Sequence, residues 1–215
     1  MTIDPSAAPV RERGVHSRAG NAMQRTRAAV LDGAVRAVEK HGARRTTMAD
    51  IAMLAGIAKG TLYNHFRTKE AVYAAAVDAA VQNLGEECIT VAADDLAEAL
   101  ALAAERISGS AALRRIATEE PAVLSVLTGI SDDGAWVTAR TMVRDVLRSA
   151  RAHDDAPTTD LVLRWLVSFV AVPGRDIDAQ ASRLAAALAT NPSATASAVS
   201  AAPGPVLAGT EGTSS

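Results

Sequence analysis

Apolar residues recur at three- and four-residue spacing along most of this chain, and alternation of period two is nearly absent. That pattern predicts helices and no sheet. A first helical stretch reads TRAAVLDGAVRAVEKHG, from Thr26 to Gly42. Two short helices follow within Thr47–Phe66, TMADIAMLAGIAKGTLYNHF. Further helices are predicted from Lys69 to about Gly85 or slightly beyond, over 94–108, 110–118 and 121–128, from Asp133 to Ala152, and over 158–172 and 176–190. The segment 158–172, TTDLVLRWLVSFVAV, is apolar almost all round, with Asp160 and Arg164 as its charges. A helix that is apolar on every side has to be covered on every side. From Asn191 onward the residues are almost all small or polar, with the single charge Glu211. They offer too little apolar surface to offset ordering entropy, so 191–215 is expected to be a disordered tail.

The pattern over 47–66 has a specific local chemistry. Thr47 followed by Asp50 matches a capping box, so a helix is expected to begin at about Met48. Ile51, Ala52 and Ala55 fall on one face. Gly56 stands where a helix end needs a left-handed residue. The next helix is expected to start near Ala58 or Lys59, with the small Gly60 and Thr61 in its first turn. Leu62 and Phe66 share its core face, while Tyr63, Asn64 and His65 point largely elsewhere. Two short helices crossing at close range over small residues form a helix-turn-helix, whose second helix enters a DNA major groove.

Matched position by position, this stretch resembles the TetR/AcrR family of bacterial regulators. The resemblance covers about residues 25–75 and rests on TT-x-x-x-IA-x-x-AG-x-x-x-GTLY-x-HF-x-x-K-E following the amphipathic first helix. It implies an all-α protein with an amino-terminal three-helix DNA-binding domain, followed by a helical effector-binding and dimerisation domain. It implies that Lys59, Gly60, Thr61, Tyr63, Asn64 and His65 lie on the DNA-reading helix. Tyr63, His65 and Lys69 are then expected to touch the phosphate backbone, with Thr47 near it. One position departs from the family: where relatives usually carry a capping Ser, this chain has Ala58. Alanine at an N-cap costs about 1 kcal/mol.

Charge sharpens the picture. Residues 1–70 hold 12 Lys or Arg against 6 Asp or Glu, and residues 71–215 hold 10 against 18. A formal net charge of −2 therefore hides a basic amino-terminal module and an acidic remainder, and phosphate neutralisation needs the former. Arg11, Arg13, Arg18, Arg25 and Arg27 precede or open the first helix. Residues 1–22 are read as a flexible basic arm, which either lies along DNA or is simply solvated. The expected organisation is that arm, a DNA-binding domain over 23–70, a ligand-binding and dimerisation domain over 71–190, and the tail.

The expected partners are double-stranded DNA at a palindromic operator, a second copy of the chain, and a small-molecule effector. The doubly apolar helix at 158–172 points to a two-fold dimer, as does the resemblance, which implies a four-helix bundle of the last two long helices. Leu161, Trp165, Phe169, Leu184 and Leu188 are the candidates for that interface, with ordinary monomer core as the competing assignment. Trp136, Met142, Trp165 and Phe169 are candidates for lining an effector pocket, expected in about 85–155; large apolar side chains at helical spacing more often serve a core. An Ala- and Leu-rich lining suits an apolar or amphipathic molecule.

The most consistent function is a dimeric repressor released from its operator by such an effector. The alternatives are control by a protein partner without a small molecule, or activation. Catalysis, cofactors and metals are not expected. His16, His41, His65 and His153 are scattered, and no phosphate loop or nucleophile elbow occurs. No apolar run is long enough to span a bilayer, no signal-peptide pattern is present, and Cys88 stands alone, so a cytoplasmic protein is expected.

Overall fold

The computed structural model describes residues 15–172 and 174–189, all helix and connecting loop with no strand among them. The helices are α1 (Val15–His41), α2 (Met48–Ala55), α3 (Lys59–His65), α4 (Lys69–Ala92), α5 (Leu96–Gly109), α6 (Ala111–Glu119), α7 (Pro121–Thr128), α8 (Ala135–Ser149), α9 (Ala156–Ala171) and α10 (Ile177–Ala189). Arg11, Arg13 and the 191–215 tail lie outside the described residues. Helix α1 begins well before the sequence pattern placed it, so residues 15–22 of the expected arm are helical.

Side chains set several helix ends. The carboxylate of Asp50 accepts from the Thr47 N–H and hydroxyl, and the Thr47 hydroxyl oxygen accepts from the Asp50 N–H, closing the capping box of α2. These bonds, the hydroxyl's first, hold the Asp50 carboxyl below its ordinary value. The cap is therefore present at neutral pH and is lost as pH falls through that depressed value. Gly56 ends α2 at φ 69°. The Thr68 hydroxyl oxygen caps α4 by accepting from the Ala71 N–H, and the Asp95 carboxylate caps α5 by accepting from the Ala97 and Glu98 N–H groups; Pro121 opens α7 at a position where its missing N–H costs nothing.

Two glycines inside helices set how closely their neighbours approach. A Cβ on Gly33 would lie 2.7 Å from the backbone nitrogen of Ala55, so α1 and α2 cross with no room for a methyl group. A Cβ on Gly85 would lie 2.5 Å from Cγ of Met142, where α4 crosses α8. Helix α4, expected from the sequence to end at about Gly85 or slightly beyond, continues seven residues further to Ala92. The close approach of Met142 needs a residue without a side chain at this position, which outweighs the weak helical propensity of glycine.

Val30, Ala34, Ala37, Ile51, Ala52, Leu62, Phe66 and Val72 form the core of the amino-terminal module. Burying each of the larger ones contributes about 1.5–3 kcal/mol. A second core joins α5, α8, α9 and α10 through Leu100, Val143, Leu147, Val162, Leu163, Ala181 and Leu188. Within this chain the core covers one side of α9. Val162, Leu163 and Phe169 are buried, whereas Leu161, near the start of α9, is 52% exposed and Val172, just past its end, is 67% exposed.

Candidate nucleic-acid interface and effector cavity

The helix-turn-helix places its candidate DNA-contacting residues on an outer surface. Leu62 and Phe66 anchor α3 in the core. Thr47, Lys59, Gly60, Tyr63 and Asn64 are exposed, and Thr61 and His65 are partly buried. Open space surrounds the Gly60 position, so its backbone can approach another surface closely. The Lys59 ammonium sits 5.9 Å from the centroid of the Tyr63 ring, which holds the two together on one face. Ala58 stands at the N-cap of α3 and supplies no side-chain hydrogen bond. Arg27 lies 4.9 Å from the centroid of the Phe66 ring, bracing α1 against the end of α3.

Lys69 is engaged within the chain itself. Its ammonium is partly buried and donates to the carbonyl oxygens of Ala43, at 3.0 Å, and Arg44, at 3.1 Å. The cation thus ties α4 to the turn between α1 and α2. The Tyr73 hydroxyl donates to the same Ala43 oxygen at 2.9 Å, and burial pushes its pKa up. Arg44 and Arg67, which the sequence reading did not single out, are exposed cations flanking the module. Only their charge was visible in the sequence; their position beside the turn and after α3 is tertiary information.

The opposite side of that turn is gripped from the second module. Glu120, at the junction of α6 and α7, is buried, and its carboxylate accepts from the N–H groups of Ala43 (3.0 Å) and Arg44 (3.1 Å). A Cβ on Gly42 would fall 2.6 Å from the Glu120 Oε1 atom, and Gly42 itself adopts φ +81°. Arg115 of α6 donates to the Glu39 carbonyl at 3.1 Å. The 43–44 peptide is therefore held by α4 on one side and by α6–α7 on the other. No sequence signal marks Glu120, because its partners are backbone groups more than seventy residues away.

Helices α6 and α7 also wall a cavity of about 780 Å³. Its other walls come from α1, α4, α5, α8 and α9, with Val38, Leu84, Leu100, Val143 and Leu166 among the lining residues. That volume lies within the range of sites for small organic molecules. Val35, Val77 and Val126 line it while remaining exposed, which gives the cavity an apolar rim. Cys88 lies in the wall, and burial pushes its thiol up to about 11.

Trp136 and Met142 line this cavity; Trp165 and Phe169 do not. These two rings meet edge-on at 4.9 Å, the Trp165 Nε1 donates to the Gln180 Oε1 atom, and Phe169 packs where a Cβ on Gly174 would be. Their positions on α9 turn them towards α10 and away from the cavity. The interface candidates also divide. Leu161 is exposed, Trp165 and Leu184 are partly buried, and Phe169 and Leu188 are buried within this chain, the latter in the second core. Buried side chains of this kind present nothing to a partner.

Among the described residues no group of three or more His, Cys, Asp or Glu could hold a metal. No helix among them is long and apolar enough to cross a membrane.

Comparison with known proteins places this arrangement. The family described as "Bacterial regulatory proteins, tetR family" matches residues 30–76. An HTH-type transcriptional regulator of Mycobacterium tuberculosis is 30% identical over 156 residues, spanning 68% of this chain and 75% of that protein. The HTH-type transcriptional regulator TtgR of Pseudomonas putida is 47% identical over 55 residues, which is 26% of each chain. The match therefore spans about a quarter of TtgR. Among solved structures, the TetR family repressor AlkX from Dietzia sp. is similar in fold, with a TM-score of 0.59, 20% identity, and coverage of 76% of this chain and 92% of that one. The helix-turn-helix packed on α1, the second all-helical module and a match spanning three quarters of the Mycobacterium tuberculosis regulator lead to one assignment: this chain belongs to the TetR family of DNA-binding transcriptional regulators.

Proposed function

We propose that this regulator acts as a dimeric repressor, released from a palindromic operator by a small apolar or amphipathic effector bound in the cavity between α4 and α9. The observation that carries the reading is the cavity itself: it is open, and its walls are largely aliphatic. A protein-partner mechanism without a small molecule would require no such space. The cavity also shares α6 and α7 with the Glu120 grip on the α1–α2 turn, so anything that moves these helices bears on the DNA-binding module. Coupling of this kind is a difference in effector affinity between the DNA-bound and free states.

On the DNA side, Lys59, Tyr63, Asn64 and Thr47 face the duplex, with Arg44 and Arg67 as added phosphate contacts. Lys69 acts from within, positioning the turn. The dimer face centres on Leu161 and Val172, with Trp165 and Leu184 at its partly buried edge. Fluorescence anisotropy on DNA from upstream of the chain's own gene tests the reading. Binding with a stoichiometry of two chains per site, weakened by an apolar ligand and by salt, supports it. A stable monomer by light scattering, or ligand binding that leaves DNA affinity untouched, refutes it.

A further inference from the structure

The polar groups on the cavity wall define the charge of its ligand. This step rests on the reading of the cavity as the effector site. Two ionisable side chains of opposite sign line it, Arg106 of α5 and Glu87 of α4, and they pair with each other at 3.1 Å at its solvent edge. The Tyr73 hydroxyl is committed to the Ala43 carbonyl. The Cys88 Sγ atom lies 3.5 Å from the Ala99 carbonyl oxygen and is neutral at physiological pH. Ser110 accepts from the Leu113 N–H as the cap of α6. Asn83 and the Trp136 indole are uncharged.

We infer that the cavity takes an uncharged, hydrocarbon-rich ligand, such as a medium-chain alkane or alcohol, and discriminates against molecules with an ionised head group. An anion brought to Arg106 meets Glu87 in the same place, leaving two negative charges against one positive. A cation brought to Glu87 meets Arg106 in the mirror-image situation. Neither charge can move to the interior, where the aliphatic wall offers no counter-ion and desolvation is heavily penalised. The acidic excess of residues 71–215, 18 Asp or Glu against 10 Lys or Arg, adds a field that repels anions further. A neutral chain faces no such penalty, and each buried methylene favours binding.

The test uses the full chain with four ten-carbon probes: decane, decanol, decanoate and decylammonium. Binding is followed by Trp fluorescence, which reports Trp136 in the wall, and by thermal shift. Decane and decanol are expected to bind, with decanoate and decylammonium at least tenfold weaker. Because an ionised probe partitions less well from water in any case, the variant Glu87→Gln provides the discriminating measurement. It frees Arg106, and because the pair is half exposed the gain in decanoate affinity is expected to be about threefold to fivefold, with decanol unchanged. Decanoate binding to the unaltered chain as tightly as decanol, or no gain for decanoate in Glu87→Gln, overturns the neutral-ligand inference and leaves the effector site standing. If none of the four probes shifts the melting temperature or the fluorescence, the effector-site reading falls as well.

Discussion

Replacing Glu120 by Gln tests whether the grip on the α1–α2 turn is energetically real. The substitution keeps size and shape and removes the charge and one acceptor. In the native protein both carboxylate oxygens are used, one by the Ala43 N–H and one by the Arg44 N–H. Glutamine can satisfy one of them; its amide NH2 then faces the other donor. Hydrogen bonds to a charged group contribute about 1.5–3 kcal/mol each. The Ala43 site is buried and the Arg44 site only part-buried, so water offsets some of the second loss. A cost of about 2 kcal/mol is expected, equivalent to roughly thirtyfold in the local equilibrium. Amide hydrogen exchange reads this directly. The Ala43 and Arg44 amides should exchange roughly thirtyfold faster in Glu120→Gln, with the rest of α1 little affected. The neighbouring Glu119→Gln is the control. Its carboxylate is 48% exposed and pairs with Arg115 at 2.9 Å and Arg45 at 3.8 Å. Pairs so exposed contribute about 0–1 kcal/mol. Unchanged exchange at Ala43 in Glu120→Gln, or an equal effect from Glu119→Gln, would refute the assignment of the grip to Glu120.

Three further outcomes follow from the same geometry. Ala58→Ser restores a side-chain cap at the start of α3 and should stabilise the protein by about 1 kcal/mol in denaturant unfolding; a neutral result would show that the uncapped end is satisfied another way. Gly60→Ala meets nothing within 4 Å in the free protein. Its stability should hold or rise by up to about 1 kcal/mol, while DNA affinity falls through loss of close approach. Intact affinity in a gel shift would remove Gly60 from the interface. Cys88, with its thiol at about 11 from an ordinary value of 9.0, is about 0.1% thiolate at pH 8. Iodoacetamide should label it about a hundredfold more slowly in the folded chain than in urea. Because the folded value is raised, the contribution of the neutral thiol is complete below pH 9 and fades as pH rises through about 11. A Cys88→Ala variant should lack that part of the alkaline loss.

Residues 47–66 show how much is legible locally. Thr47 and Asp50 cap each other across three residues, and Gly56 takes its left-handed turn. Leu62 and Phe66 are four residues apart and both buried. Each of these signals links residues within one helical turn or two, so spacing alone determines them. The absence of a cap at Ala58 was equally readable. The doubly apolar segment that becomes α9 shows where this kind of inference stops. Periodicity revealed that the helix had two faces to cover, but not that Trp165 and Phe169 turn towards α10 and away from the cavity.

The sequence by itself determined the helical class, the helix-turn-helix and the division into a basic and an acidic module, because local hydrogen bonding and side-chain period decide these. Tertiary structure decided what lies between the helices. It set the continuation of α4 through Gly85 against Met142, the inward turn of Lys69, the reach of Glu120 to Ala43 and Arg44, and the neutralisation of Arg106 by Glu87. The physical reason is that helical periodicity specifies a face but not the neighbour against it. A cavity, a buried carboxylate's partner or an ion pair across helices depends on that neighbour's identity, position and distance.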